Sequence, residues 1–121
     1  MRRGVRLFLA RSGRRRSPLD KQVLERQVRI CKAFASTVRL HILDLLGEGE
    51  WAISGLQHEL GITKPNLSQH LAILKAAGIV SARREGKHIY CSISMPEIKR
   101  VCQLIRAVLR AQIRRGHKLA V

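Results

Sequence analysis

The chain has 121 residues, a formal net charge of +16 at pH 7 and only 3% aromatic residues. The length fits one domain, and the few aromatic residues imply a modest aliphatic core that dimerisation would enlarge. No apolar run approaches the ~18 residues of a transmembrane helix, and the apolar run over residues 5–10 is too short for a signal peptide and contains Arg6. Three cysteines without a Cys-x-Cys or Cys-x-x-Cys spacing do not make a secreted disulfide framework, so we expect a cytoplasmic protein without membrane association. The net charge of +16 makes a polyanion the expected partner.

The positive charge is concentrated at the two ends of the sequence. Residues 1–16 contain seven arginines and no acid, and residues 96–121 contain seven bases and one acid, whereas residues 36–95 contain six bases and five acids. Recognition by the nearly neutral middle must therefore come from shaped contacts, while the ends add non-specific attraction to phosphates. We predict a disordered basic arm over residues 1–18, a domain over residues 19–115 and a basic tail over residues 116–121.

Three helices are predicted before residue 62. Apolar residues recur at helical spacing over residues 19–35 and make one stripe. Ser36 can cap a second helix, which Gly47 and Gly49 end. A short helix over residues 54–60 follows, and Gly61 makes the turn after it.

The remaining elements complete a recognisable order. Thr63 caps a helix with Pro65 in its first turn, where a missing N–H costs nothing, and Gly78 ends it. Residues 79–93 predict a β-hairpin with its tip at residues 85–87, and a final amphipathic helix runs from residue 96 to about residue 115. A short helix, a glycine turn, a second helix and a hairpin indicate a mainly α fold with a small β-hairpin, the winged helix-turn-helix.

The helix after Thr63 has the pattern of a recognition helix. Leu67, Leu71 and Leu74 share one face and anchor it to the core, and its N-terminal end is the end that enters the major groove in this motif. We predict contacts with base edges and phosphates from polar side chains of this helix and the wing, namely Lys64, Asn66, Ser68, Gln69, His70, Arg83, Arg84 and Lys87. The alternatives are a solvated polar helix face and, for His70, a helix-surface or core histidine.

Three segments resemble the ArsR/SmtB family of bacterial winged-helix repressors: KAFASTVRLHILDLLGEGE, GITKPNLSQHLAILKAAGIV and RREGKHIYCSI. The resemblance covers roughly residues 20–112. It implies a homodimer formed through the first and last helices and bound to an imperfect inverted repeat in double-stranded DNA. It further implies a nucleoid-associated repressor, usually of its own operon, that an inducer releases.

The inducer sites known in that family do not carry over to this sequence. Ala52 and Ser54 stand where many members have a Cys-x-Cys for soft metals, and the last helix offers only Glu97 where others have Asp and His ligands. We therefore predict no metal site and no cofactor. His41, His58 and His88 match no metal-ligand spacing.

A thiol switch is the remaining possibility that the resemblance suggests. Members that sense sulfide or oxidants use one cysteine on the second helix, where this chain has Asp44, and one on the last. Cys31 on the first helix and Cys102 on the last could form a dithiol switch, and a basic neighbour such as Lys32 or Arg100 lowers a thiol pKa at short distance. The alternative is that both cysteines pack as small apolar residues, as we expect for Cys91 in the hairpin.

Other functions remain as alternatives. A non-specific, architectural nucleic-acid-binding protein would bind mainly through its basic ends, so deleting residues 1–18 would then abolish binding on all sequences. A membrane-surface role would require the segment VRLFLAR (residues 5–11) to bind anionic vesicles. No Ser-His-Asp set, phosphate loop, paired-carboxylate site or metal triad points to an enzyme.

Overall fold

The computed structural model describes residues 20–116 and residue 118, so the predicted arm over residues 1–18 and most of the predicted tail lie outside the described residues. This part of the chain forms five α-helices and three β-strands. In chain order they are α1 (Lys21–Ala33), α2 (Thr37–Leu46), β1 (Trp51–Ala52), α3 (Ile53–Leu60), α4 (Lys64–Ala76), β2 (Val80–Glu85), β3 (His88–Ile93) and α5 (Pro96–Arg114).

The helix starts follow from side-chain caps. Ser36 accepts a hydrogen bond from the Arg39 N–H at the start of α2, and Thr63 accepts one from the Asn66 N–H at the start of α4, which confirms both predicted caps. Gly61 ends α3 with φ +64°, a left-handed conformation that costs glycine little. The two helices of the helix-turn-helix are therefore joined by the turn that the sequence predicts.

The sheet has one strand more than the predicted hairpin. All three strands are antiparallel in the order β1-β3-β2, with Trp51 opposite Cys91 and Ala52 opposite Tyr90. A two-residue strand is too short to display alternation, which is why the pattern did not reveal β1. The Trp51 indole N–H donates to the Leu45 carbonyl over 2.9 Å, so β1 is also tied to the end of α2.

The core lies between α2, α3, α4 and the sheet. Its largest fully buried side chains come from these three helices, from β3 and from the residue before β2, namely Ile42, Leu56, Leu67, Leu74, Ile79 and Cys91. The predicted leucine face of α4 is confirmed, since Leu71 is also buried. Cys91 is a packing residue, as predicted.

The first and last helices contribute little to this core. Only Ala33 of α1 and Ile98 of α5 are buried. The apolar stripes of both helices are solvent-exposed, with Val28 51%, Val108 59% and Leu104 65% exposed. None of the described helices combines the length and apolarity needed to cross a bilayer.

Candidate nucleic-acid interface

Helix α4 divides its side chains between the core and solvent. Leu67 and Leu74 are fully buried, whereas Lys64, Asn66, Ser68 and Gln69 are exposed. The helix therefore presents ammonium, amide and hydroxyl groups in its first two turns, at the end where the helix dipole is positive. These are groups that pair with base edges and phosphates.

His70 differs from its polar neighbours because it is half-buried. Its Nδ1 lies 3.2 Å from the Arg39 Nη1 of α2. A guanidinium has only donors, so this contact is a hydrogen bond in the tautomer that accepts at Nδ1 and carries its proton on Nε2. His70 therefore joins α4 to α2, and any DNA contact from its ring would come from the Nε2–H group.

Arg83 lies in the wing, which the hairpin β2–β3 forms, and its guanidinium is bound by two carboxylates. Its guanidinium donates to both carboxylate oxygens of Glu50, over 2.7 and 2.8 Å, and also to Glu85. It lies 4.7 Å from the centroid of the Tyr90 ring. Hydrogen bonding from Arg83 holds the pKa of Glu50 below its usual range, and the two carboxylates raise the pKa of Arg83.

The other two predicted wing contacts are differently placed. Arg84 and Lys87 are exposed, and neither forms a salt bridge with any residue between 20 and 116. Lys87 belongs to the two-residue turn that connects β2 to β3, since Glu85 pairs with His88. Their charges are thus available to an external polyanion.

The three cysteines have three different environments. Cys31 is exposed on α1, Cys102 is half-buried on α5 and Cys91 is buried in β3. Burial raises the pKa of Cys102, opposed by the positive charge of Arg106 and assisted by Asp44. The expectation that Arg100 lowers this pKa is wrong for Cys102, because Arg100 is not among the groups that shift it and burial outweighs the positive charge of Arg106.

Metal-ligating side chains do not converge within residues 20–116. No group of three or more His, Cys, Asp or Glu residues there is placed to hold a metal ion. His41, His58 and His88 are exposed on separate elements.

Two polar links were not predicted from the sequence. Arg39 donates to the backbone carbonyls of Ala33 (2.8 Å) and Lys32 (3.0 Å) as well as contacting His70. Arg106 pairs with Asp44 over 2.7 Å and ties α5 to α2. The sequence did contain one signal for the role of Arg39, because it is the single Lys or Arg residue in the otherwise largely apolar α2.

Comparisons with known proteins agree with this geometry. The family model described as "Bacterial regulatory protein, arsR family" matches residues 36–82, which span α2 to the start of β2. The biofilm growth-associated repressor of Agrobacterium fabrum is 32% identical over 93 residues, or 77% of this chain and 79% of the relative.

Two mycobacterial proteins extend the comparison. The HTH-type transcriptional regulator Rv0324 of Mycobacterium tuberculosis is 37% identical over 86 residues, and the match spans 71% of this chain but only 38% of that regulator. The homodimeric winged helix-turn-helix DNA-binding domain of Mb0332 from Mycobacterium bovis, solved by NMR, matches with a TM-score of 0.76 and 32% identity, covering 87% of this chain and 97% of that domain.

The fold, the polar face of α4 and these matches agree with one another. The members of the matched family are transcriptional regulators rather than enzymes. This chain belongs to the ArsR family of bacterial regulatory proteins and is a winged helix-turn-helix, DNA-binding transcriptional regulator.

Proposed function

We propose that this chain is a homodimeric repressor that reads an imperfect inverted repeat in double-stranded DNA. The observation that carries the proposal is the division of α4, whose leucines are buried while Lys64, Asn66, Ser68 and Gln69 are exposed. In this motif the N-terminal part of the second helix enters the major groove. Arg84 and Lys87 of the wing would contact the phosphate backbone, and His70 would contribute through its Nε2–H group.

Homodimerisation is supported by the exposed apolar side chains of α1 and α5, including Val28 and Val108. Exposed apolar stripes on two helices are typical of a protein interface, and the Mb0332 domain is a homodimer. A two-fold dimer presents two recognition helices related by symmetry, which is why the preferred site would be an inverted repeat. Such a protein would act in the cytoplasm, on the nucleoid.

The test is the affinity for DNA upstream of the protein's own gene and for a scrambled duplex, measured by fluorescence anisotropy at one salt concentration. We expect Gln69→Ala to cost roughly 1–3 kcal/mol on the specific duplex, because a bidentate amide–base contact is lost, and little on the scrambled one. Gln103→Ala, an exposed glutamine on α5, is the matched control. Equal loss on both duplexes would favour the architectural, non-specific alternative.

Release by thiol chemistry is the second part of the proposal, and Cys31 and Cys102 are its candidate groups. Cys31 is exposed on α1, whereas burial keeps Cys102 in the less reactive thiol form by raising its pKa. We expect the Cys31 thiolate to attack an S–S bond of polysulfide, which forms a persulfide on Cys31 and releases a shorter polysulfide. The Cys102 thiolate then attacks the Cys31 sulfur, which forms a disulfide and releases hydrosulfide. Because both helices also carry the exposed apolar stripes, a link between the thiols would change the dimer interface.

The thiol proposal is tested by DNA affinity before and after polysulfide treatment. We expect treatment to weaken binding by the wild type and to spare a Cys31→Ser/Cys102→Ser variant. Mass spectrometry of the treated protein identifies the modified residues. Tight binding that is indifferent to treatment would make both cysteines packing residues.

A further inference from the structure

A pocket lies between α3, α4 and the beginning of β3. Its volume is about 350 Å³, which is within the range of small-molecule sites. The apolar side chains that line it are buried or half-buried, namely Ile53, Leu71 and Ile89. The three charged side chains that line it are exposed ammonium groups, Lys64, Lys75 and Lys87.

The chemistry of this lining is one-sided. It includes three lysines and no carboxylate, so the local field favours an anion. Ser54 and Ser68 add hydroxyl groups that can donate to an anionic oxygen. The apolar side chains offer contact area that a bare inorganic anion cannot use.

We propose that this pocket binds a small organic anion: a carboxylate or sulfonate that carries an aromatic or aliphatic body. The anionic group pairs with the lysines and the body packs against Ile53, Leu71 and Ile89. This inference rests on the proposed function, in which Lys64, Ser68 and Lys87 of the pocket also contact DNA. Ligand and DNA therefore compete, and the anion releases the protein from DNA without thiol chemistry.

A DNA phosphate could reach the same lysines, but it has no apolar body. This difference separates the two sources of an anion experimentally. The test is a titration of the full chain with 2-naphthoate in the absence of DNA, followed by backbone amide chemical shifts. Acetate and inorganic phosphate, at matched ionic strength, are the polar probes.

We expect 2-naphthoate to shift the amides around the pocket, including those of Ile53, Leu71 and Ile89, at concentrations where acetate and phosphate do not. Lys75→Gln should weaken this binding roughly fivefold, as expected for loss of an exposed ion pair. Lys75 is outside the proposed set of DNA contacts and is exposed, so the variant should fold normally. Lys99→Gln, on α5, is the control and should bind like the wild type.

Three results would overturn the proposal that the pocket binds an organic anion. These are equal amide shifts with acetate or phosphate, binding of 2-naphthoate by Lys75→Gln with wild-type affinity, and amide shifts confined to α1 and α5. A second titration, with labelled DNA, tests competition separately. We expect 2-naphthoate to displace DNA from the wild type and to do so less effectively from Lys75→Gln. If 2-naphthoate binds in the pocket but does not displace DNA, the proposed sharing of contacts is refuted. If the protein does not bind DNA at all, the proposed function is refuted, and the titration without DNA still decides whether the pocket binds an anion.

Discussion

Arg39 joins three segments of the chain through one guanidinium group. It donates to two carbonyls at the C-terminal end of α1 and contacts the His70 ring of α4. A cation at the C-terminal end of a helix is favourable because the exposed carbonyls carry partial negative charge. One side chain thus ties a helix with an exposed apolar stripe to the helix proposed to read DNA.

Replacing Arg39 by alanine should therefore destabilise the fold. Charge-assisted hydrogen bonds to part-buried groups are lost, and we expect about 1–3 kcal/mol less free energy of unfolding. Urea denaturation followed by circular dichroism measures the change. Arg84→Ala is the matched control, since Arg84 is exposed and forms no salt bridge within residues 20–116. Identical unfolding of both variants would mean that the Arg39 contacts do not stabilise the domain.

At the scale of elements, the wing has an internal side and an external one. Arg83 is bound to Glu50, which directly precedes β1, and to Glu85 at the end of β2. Its contacts hold the hairpin to the short first strand. The adjacent Arg84 forms no salt bridge with a carboxylate of the described residues. We therefore expect Arg83 and Arg84 to have different roles.

The salt dependence of DNA binding distinguishes these roles. Arg84→Ala should weaken binding on every sequence and reduce the slope of log K against log [salt] by about 1, because one phosphate contact is lost. Arg83→Ala should change that slope less, since two carboxylates already offset its charge. Anisotropy titrations over a range of salt concentrations give both slopes. If Arg83→Ala lowers the slope and Arg84→Ala does not, the roles are reversed.

The elements differ in how far the sequence could predict them. Helix α4 was predictable because its leucines recur at helical spacing and Thr63 caps it, both local signals. Strand β1 and the Glu50–Arg83 pair were not, since partners 33 residues apart meet only after the sheet has formed. The same holds for His70, whose packing against Arg39 is a tertiary contact between residues 31 apart.

For the whole molecule, the exposed apolar stripes of α1 and α5 indicate that these two helices need a partner surface for their stability. Most stability of a protein helix comes from packing its apolar face, yet Val28 and Val108 are more than half exposed. A second copy of the chain would cover both stripes and enlarge a core that comprises mainly α2 to β3. DNA binding should then depend on dimerisation, because one recognition helix contacts only half of an inverted repeat.

An aspartate at position 108 tests this dependence. Val108→Asp would place an unpaired carboxylate in the proposed interface, and we expect it to weaken dimerisation by about 3 kcal/mol, roughly a hundredfold. Gln103→Asp introduces the same residue on the side of α5 that lies toward α2 and should leave the dimer intact. Analytical ultracentrifugation gives the dimer dissociation constants, and anisotropy gives the affinities for the inverted repeat and for a single half-site. Val108→Asp should lose affinity for the inverted repeat but keep the half-site affinity of the wild type, because its recognition helix is unchanged. If Val108→Asp stays dimeric, the interface lies elsewhere. If it is monomeric but binds the full repeat as tightly as the wild type, recognition does not depend on dimerisation.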